Sequence, residues 1–371
     1  MKELIVYHLK ERDGRLSFHL GERGVGLEET SVHLHSDRLF SALCLAWRSQ
    51  GENLAEILNA FPRVQFHPDF VDDADREAPF LISSAYPFYR DVYFFPRPLL
   101  PAVGFTGGIS PAIGKGIKKV QYVSKKLFEE WIAARPINRV FLSSQNGKPT
   151  LREDISLQSG RVWLTDEEVQ NGLPADGSLW SIELQPHVTV GRSNNRSVVY
   201  ALGRVHFASE AGLYFLVQYN QPGWKRRLEN ALEHLAEEGI GGERSNGNGQ
   251  FHLAGGEPFS LNEPDSPNGF LSLSLCWPAR AEVAAGVLEN AHYMLMNQRG
   301  WITSPNGMGI RRPNVRMLAE SSVFEKKPFG RLVDLTPLQE DGQPLLVHPV
   351  WRCGLAFPVR CVLSGGTPHV P

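Results

Sequence analysis

The sequence predicts a folded α+β protein, and three observations support that fold class. The chain has 371 residues, of which 42% are apolar and 10% aromatic, enough for about two domains that each bury a core. Charged residues make up 21% and are spread along the chain without long blocks of one sign, which is unlike a disordered tail. Strand-like and helix-like hydrophobic periods also alternate along the chain.

The first half of the chain predicts the order strand, helix, strand pair, strand, helix, strand. An apolar run at 4–9 predicts a buried first strand. Ser36 is expected to cap the helix that follows, whose apolar residues recur at three- and four-residue spacing: Leu39, Phe40, Leu43 and Trp47. The remaining elements are expected as a strand pair near 80–82 and 92–95, a strand at 212–217, a helix at 222–238 and a strand near 251–253. This order resembles a ferredoxin-like unit.

Two segments inside that unit carry positive charge. Residues 97–180 are expected to form a long insertion, and its part 97–148 holds nine Lys and Arg residues against two Glu. A hairpin is expected over 182–207, because two alternating runs flank a polar tip at 192–196. An insertion of this length is more typical of a functional segment than of a passive linker.

A second, smaller α+β unit is expected after a polar, proline-bearing linker at 257–269. Its elements are expected as a strand at 270–277, a helix at 281–291 and strands near 293–302, 317–324, 331–335 and 350–359. The chain would then divide into a first domain at 1–258 and a second at 259–371.

The overall composition limits the classes of partner. The net charge of −2 argues against a nonspecific nucleic-acid binder, although local basic patches on a neutral chain suit a protein that holds RNA inside an assembly. No apolar stretch approaches the length that spans a bilayer and no targeting segment is recognisable, so we expect a cytoplasmic protein that does not contact membranes. The four cysteines are not at zinc-finger spacing and are expected to be buried thiols.

The segment 239–249 contains five glycines. Glycine lets backbone N–H groups approach a ligand without side-chain collision, as in loops that bind phosphate. Arg244 and Ser245 would add donors to RNA, and Gly241, Gly242, Gly247 and Gly249 would lie against its backbone. A flexible connection between helix and strand is the structural alternative.

Two familiar nucleotide-binding motifs fit this segment poorly. A Walker-type loop follows a strand and has Lys and Ser or Thr after its last glycine, whereas here a helix precedes the loop and Gln250 follows it. A dinucleotide-binding fingerprint also lies between strand and helix, in that order. We therefore expect neither nucleotide hydrolysis nor NAD binding, and no cofactor.

The segment 239–251 resembles the glycine-rich loop of the RAMP superfamily of CRISPR proteins. Further segments are similar to one family within it, the fourth Csm protein: 35–43, 115–124, 211–217, 299–301 with 317–324, and 330–335. The resemblance therefore extends along the whole chain. It departs from the family pattern at Arg38, where the family usually has threonine.

This resemblance implies a fold of two ferredoxin-like (RRM-like) domains and a role in a type III-A CRISPR effector, the Csm complex. The family's role implies contact with the 5′ handle of the crRNA and with target RNA only indirectly. It also implies docking between the large polymerase-like subunit and the first backbone RAMP subunit, without nuclease activity of its own. The sequence contains no recognisable metal-ligand cluster, so we expect no metal.

Together, the loop, the first helix, the insertion and the hairpin give a set of candidate RNA contacts. These are Gly241, Gly242, Arg244, Ser245, Gly247, Gly249, His35, Ser36, Arg38, Lys115, Lys118, Lys119, Arg192, Arg196 and Arg204. The lysine cluster could instead be a solvated face. Trp301 and Trp351 are expected in the core.

Two other function classes stay open. Some RAMP proteins cut RNA with a histidine as general acid or base, and the candidates here are His8, His19, His33 and His35. His35 is the best placed, because it precedes a helix N-terminus that could bind phosphate. The alternative enzyme is thus an endoribonuclease that processes crRNA, and the other alternative is a scaffold that contacts only proteins.

Overall fold

The computed structural model describes residues 3–21, 28–65, 71–73, 76–105, 110–145, 148–170, 172, 174, 177–190, 197–244, 247–302 and 310–363. These residues form a mixed α+β fold, which confirms the predicted fold class. None of the helices in these ranges is long and apolar enough to cross a membrane.

The strands of this structure are β1 (Leu4–Lys10), β2 (Ser17–Phe18), β3 (Arg63–Gln65), β4 (Val71–Asp72), β5 (Phe80–Ile82), β6 (Tyr86–Tyr89), β7 (Val92–Pro96), β8 (Tyr122–Ser124), β9 (Leu142–Gln145), β10 (Lys148–Leu151), β11 (Ser156–Leu157), β12 (Val162–Trp163), β13 (Trp180–Val190), β14 (Ser197–Phe207), β15 (Ala211–Tyr219), β16 (His252–Phe259), β17 (Gly269–Ser272), β18 (Leu295–Gln298), β19 (Val315–Leu318), β20 (Val323–Phe324), β21 (Gly330–Asp334), β22 (Trp351–Leu355) and β23 (Pro358–Cys361).

The α-helices are α1 (Ser36–Ser49), α2 (Leu54–Asn59), α3 (Pro111–Lys119), α4 (Lys125–Ile132), α5 (Asn138–Phe141), α6 (Asp166–Val169), α7 (Trp224–Glu238) and α8 (Arg280–Ala284). Two short 3₁₀ turns, Glu153–Ile155 and Gln158–Gly160, lie between β10 and β12.

The largest sheet carries the core of the first half. Its strand order is β11-β12-β8-β7-β6-β15-β1-β16, and β5 also pairs with β15. Within it, β1 lies antiparallel between β15 and β16. The chain order β1, α1, β6, β15, α7, β16 thus follows the predicted alternation of strands and helices.

Helices α1 and α7 pack on this sheet through their apolar faces. The buried side chains of α1 include Leu39, Leu43 and Trp47, and those of α7 include Leu228 and Leu232. This burial pattern is the three- and four-residue spacing seen in the sequence. Burying a large apolar side chain stabilises the fold by about 1.5–3 kcal/mol, so these faces fix where the N-terminus of α1 lies.

The cap of α1 corrects one expectation. The N-cap residue is His35, whose φ of −59° and ψ of 143° lie outside the helix, and Ser36 is the first helical residue. The backbone N–H of Ser36 donates to Ser84 Oγ over 2.8 Å, and its own Oγ accepts from the Leu275 N–H over 3.1 Å. Ser36 therefore links α1 to the second half of the chain instead of capping the helix.

The strand pairing near residue 80 also differs from the expectation. β5 pairs with β15, for example Ile82 with Val217, and it is β6 that forms the hairpin with β7. The predicted pair of 80–82 with 92–95 is wrong, because the intervening segment contributes a strand of its own. The long hairpin β13–β14 confirms the pairing expected over 182–207.

The insertion 97–180 is joined to the large sheet. β8 pairs antiparallel with β7 and parallel with β12, so the insertion extends the sheet by three strands. The remaining pair, β9 with β10, forms a separate two-stranded sheet.

In the described residues of the second half, the strands form three small sheets: β20-β17-β23, β18-β19 and β22-β21-β3-β4. The last of these includes β3 and β4 from the first half, with β3 parallel to β21. The predicted helix at 281–291 is shorter, as α8, and β16 runs to Phe259 into the expected linker. The domain boundary at 258 stays a prediction.

Candidate nucleic-acid interface

An open groove of about 1070 Å³ lies where α1, the glycine-rich loop, the β18–β19 hairpin and β22 meet. Its described lining includes seven arginines and no Asp or Glu. We call it the arginine groove, and its arginines are Arg38, Arg48, Arg244, Arg299, Arg311, Arg312 and Arg352. Three distant sequence segments that the resemblance singled out therefore meet in one concave surface.

Most of these guanidinium groups lack a carboxylate partner. Arg352 is the exception, with Nη1 at 3.1 Å from Asp37 Oδ2 in the interior, and burial lowers its pKa. Arg38 donates from Nη1 to the carbonyl oxygen of Leu20 over 3.2 Å. Within the described residues the other five make no ion pair. A concave surface with unneutralised cations favours an anionic ligand.

The glycine-rich loop packs on the strand β2 and the residues that follow it. The N–H of Gly242 donates to the His19 carbonyl over 2.9 Å, and the N–H of Gly249 donates to the Ser17 carbonyl over 3.1 Å. Gly241 has a φ of +101°, and a Cβ there would lie 2.6 Å from the His19 carbonyl oxygen. These glycines are thus needed for close packing inside the chain, whatever they contact outside it.

The loop residues differ in how accessible they are. Gly241, Arg244 and Gly247 are exposed, Gly242 is half-buried and Gly249 is buried. A Cβ on Gly247 would meet nothing within 4 Å. Ser245 lies outside the described residues. The predicted RNA contacts of this loop stay predictions, and Gly241, Arg244 and Gly247 are the exposed ones among the described residues.

His35 lies in the interior, in contrast to the expected position on an RNA-facing surface. Its side chain is 3% exposed, and its Nδ1 is 2.7 Å from Oε1 of Glu320, a residue of the second half. Ser84 Oγ donates to the same carboxylate oxygen over 2.5 Å. The structure therefore corrects the placement of His35 and Ser36, because neither side chain is available at the surface.

His33 completes a cluster with His35 and Glu320, which we call the histidine–glutamate cluster. His33 Nδ1 is 2.8 Å from the Tyr122 hydroxyl, and the two imidazole centroids are 4.4 Å apart. Burial and the neighbouring His35 lower the pKa of His33 to about 3. Burial acts against the charged forms of the other two, yet their ion pair prevails: it raises the pKa of His35 and lowers that of Glu320 to about 2.

The side chains of this cluster could also hold a metal ion, because ligand atoms of all three residues lie within 4.8 Å of one another. Nδ1 of each histidine and one Glu320 oxygen already take part in hydrogen bonds. The arrangement is that of a buried ion pair held by neighbouring polar groups.

The three lysines predicted to contact phosphate share one exposed face of α3. Lys115, Lys118 and Lys119 are spaced by three and four residues, all three are exposed, and the described residues give none of them a carboxylate partner. Lys125 and Lys126 of the same insertion, in contrast, pair with Glu129 and Glu167 at 2.9 and 2.6 Å. The sequence count of basic residues thus overstates the free positive charge, which is concentrated on α3.

The long hairpin presents one aliphatic face. Residues opposite each other in an antiparallel pair share a face, and the pairs on this face are Ile182 with Val205, Leu184 with Gly203, Pro186 with Ala201 and Val188 with Val199. Most of the aliphatic side chains near the tip are more than half exposed. The tip residues Arg192 and Arg196 lie outside the described residues.

Arg204 lies on the other face of this hairpin and is engaged within the chain. Its guanidinium donates to Gln185 Oε1 and to Ser17 Oγ, both over 2.8 Å, and burial lowers its pKa. The position corrects the expectation of a cation projecting from the hairpin, because these contacts hold Arg204 against β2.

Trp301 was expected in the core, and the structure shows otherwise. Its side chain is 60% exposed and lines the arginine groove, with the Arg311 guanidinium 4.7 Å from its ring centroid. Trp351 is partly buried against the core, as expected. The signal that could have identified Trp301 is its sequence context, with Arg299 and Gly300 before it and Arg311 close behind.

Known proteins resemble this chain in sequence and in fold. Residues 265–361 match the family model described as the CRISPR Csm4 C-terminal domain. The CRISPR system protein Csm4 of Thermococcus onnurineus is 25% identical over 294 residues, which cover 77% of this chain and 81% of that protein. Csm4 of Methanocaldococcus jannaschii is 22% identical over 346 residues, or 87% of each chain.

The family model and these relatives support a Csm4 subunit. The family resemblance expected from the sequence is therefore confirmed. Solved structures support the fold: a Csm3–Csm4 subcomplex of the type III-A CRISPR-Cas interference complex contains a chain with a TM-score of 0.62 at 17% identity, covering 96% of this chain and 98% of that one. A Csm1–Csm4 cassette in complex with pppApA gives a TM-score of 0.52 at 17% identity, covering 98% and 100%.

Proposed function

We propose that this protein is a non-catalytic RNA-binding subunit of a type III-A CRISPR (Csm) interference complex, and that it holds the 5′ handle of crRNA in the arginine groove. The observation that carries the proposal is the groove's lining of seven arginines without Asp or Glu among the described residues. RNA carries a charge on every phosphate, and guanidinium groups bind phosphate through planar pairs of donors.

The glycine-rich loop supports this proposal by its position. Gly239, Gly241, Gly242 and Arg244 line the same groove as α1. The glycines let the loop pack closely on the chain, and this packing places Arg244 at the groove. Arg38, which stands where the family usually has threonine, adds a cation to the same lining.

Protein partners follow from the relatives. Csm4 chains are solved in complex with Csm3 and with Csm1, and we extend these partners, the backbone subunit and the large subunit, to this chain.

The strand order β6-β15-β1-β16 with α1 and α7 supports a ferredoxin-like first unit, and a second such unit is proposed on the family resemblance. The exposed hairpin β13–β14 supports a thumb-like element of the kind that the family inserts into RNA.

The position of His35 argues against this histidine as the general base of the alternative endoribonuclease. A general base must come within about 3 Å of the proton that it removes. His35 is 2% exposed and its Nδ1 is bonded to Glu320, so it cannot meet an RNA hydroxyl without opening of the core.

The salt dependence of RNA binding tests the proposal. We compare the full chain with the variant Arg48→Gln/Arg244→Gln/Arg299→Gln on a single-stranded RNA of the 5′-handle sequence. Each lost phosphate contact should reduce the slope of log affinity against log salt by about 0.7, so the triple variant should lose about 2. The control is Arg139→Gln, an exposed arginine outside the groove that pairs with Glu130 over 3.2 Å.

An unchanged slope and affinity in the triple variant would contradict the groove assignment. Recovery of shortened RNA from the wild-type chain, with or without magnesium, would contradict the non-catalytic role. Association with Csm1- and Csm3-type subunits without any RNA binding would leave the chain as a scaffold.

A further inference from the structure

Trp301 is an exposed tryptophan at a concave basic surface, the arginine groove. Trp301 is 60% exposed, so much of the indole surface is in contact with water. Tryptophan and arginine are enriched at binding interfaces relative to the rest of a protein surface. The position of Trp301 in the lining of the arginine groove places the free surface of the indole where the proposed RNA would lie.

The backbone around Trp301 holds the ring in place. Trp301 and Arg311 form an antiparallel bridge that extends the β18–β19 hairpin. The Ile302 N–H donates to the Ile310 carbonyl over 2.9 Å, and the Arg312 N–H donates to the Gly300 carbonyl over 3.1 Å. The aromatic ring therefore stands on a paired backbone, which reduces the entropy lost when a ligand binds it.

Arg311 lies over the ring of Trp301. Its guanidinium lies 4.7 Å from the indole centroid, and the described residues give it no carboxylate partner. A planar cation on an aromatic ring keeps its charge available to a phosphate while it stacks. The arginines at 299 and 312 flank this pair in the lining of the same groove.

We propose that Trp301, backed by Arg311, is a stacking platform for one unpaired base of the RNA bound in the arginine groove. This inference rests on the proposed function and adds to it the conformation of the ligand. A base within a duplex has both faces covered by its neighbours, so a platform of this kind selects a single-stranded, unstacked nucleotide. The flanking guanidinium groups bind the phosphates on either side of that nucleotide.

The test uses the full chain and a single-stranded 5′-handle RNA that carries the fluorescent base 2-aminopurine at one position at a time. Stacking quenches this base, so one position should lose fluorescence with the wild-type chain and keep it with Trp301→Ala. Stacking on an aromatic side chain is worth about 1–3 kcal/mol per base, which corresponds to roughly a 5- to 150-fold loss of affinity for Trp301→Ala. Trp301→Phe should retain most of the affinity.

Phe329 offers a matched control. It is an exposed aromatic side chain with the Lys327 Nζ 5.2 Å from its ring centroid, and it is absent from the described lining of the groove. Phe329→Ala should therefore leave the affinity unchanged. The salt dependence further distinguishes stacking from phosphate contacts. Because Trp301→Ala removes no charge, it should leave the slope of log affinity against log salt unchanged.

The outcomes distinguish this inference from the proposed function. If Trp301→Ala binds as tightly as wild type and no position is quenched, while the groove arginine variant loses affinity, the platform is wrong and RNA binding in the groove stands. Absence of RNA binding by the wild-type chain overturns both. If Trp301→Ala keeps its RNA affinity but no longer associates with a Csm1- or Csm3-type subunit, the tryptophan is a protein contact and the inference is overturned.

Discussion

The histidine–glutamate cluster and the arginine groove use charge in opposite ways, although α1 contributes to both. His35 and Arg38 are three residues apart, yet the first is paired inside the core and the second lines the groove. Charge that is neutralised by a buried partner holds the fold together, whereas charge without a partner is available to a ligand. The comparison shows that a residue's neighbour in space, more than its type, decides between the two roles.

The partner of His35 lies 285 residues further along the chain. The cluster thereby joins α1, the insertion through Tyr122 and the second half through Glu320. Removing one member of a buried ion pair leaves the other charge uncompensated, which costs about 3–5 kcal/mol. The exposed arginines of the groove, which are Arg48, Arg244, Arg299 and Arg311, contribute far less to folding.

The largest expected effect is on stability. Glu320→Gln should lower the free energy of unfolding by about 3 kcal/mol, measured by chemical denaturation of the full chain. Affinity for the handle RNA, measured under conditions where the variant is folded, should stay near the wild-type value. A variant with wild-type stability and reduced RNA affinity would reverse the roles assigned to the two regions.

The same pair predicts how this stability difference changes with pH. The raised pKa of His35 gives a contribution that is full below the ordinary value of 6.5 and is lost as pH rises through the raised value. The lowered pKa of Glu320, about 2, gives a contribution that is present above 4.5 and is lost as pH falls toward 2. The gap between wild type and Glu320→Gln should thus be greater at about pH 5.5 than at about pH 9.

Nearby groups modify this profile without changing its sign. Asp37 raises and Arg38 lowers the pKa of His35, and both remain in the variant. His33, whose pKa is lowered to about 3, costs stability in either protein as pH falls below its ordinary value. A gap that grows with rising pH would contradict the ion pair.

The lysine face of α3 gives a smaller expected effect, on RNA binding alone. Lys115→Gln/Lys118→Gln/Lys119→Gln should flatten the salt slope by up to about one unit per lost phosphate contact, with thermal stability unchanged because the three side chains are exposed. Lys126→Gln is the matched control, since this lysine pairs with Glu167 over 2.6 Å. An unchanged slope in the triple variant would return the cluster to the role of a solvated surface.

Periodicity in the sequence predicted much of the first half. The strand β1, the helices α1 and α7 and the long hairpin follow from local patterns that the structure preserves. The pairing of β5 with β15, instead of with β7, depends on long-range register. Likewise, β3 joins a strand more than 260 residues away. Local sequence patterns carry no signal for such contacts.

The candidate site was predictable only in part, because the fold brings together residues that are far apart in the sequence. The glycine-rich loop and Arg38 were identified from motifs, and the structure brings both to one groove. His35 was misplaced because its burial depends on Glu320, and Trp301 because most tryptophans are core residues. The arginines at 299, 311 and 312 were missed individually, since only the fold collects them beside α1.

Photo-crosslinking of the handle gives the most direct test of the central claim, that crRNA lies in the arginine groove. A Csm-type complex assembled with this chain and a crRNA carrying 4-thiouridine in the 5′ handle is irradiated, and the crosslinked peptides are mapped by mass spectrometry. We predict crosslinks to peptides that line the groove, from α1, from the loop at 239–249 and from the β18–β19 hairpin. Handle crosslinks confined to surfaces outside the groove, such as α3, with none in these peptides, would contradict it.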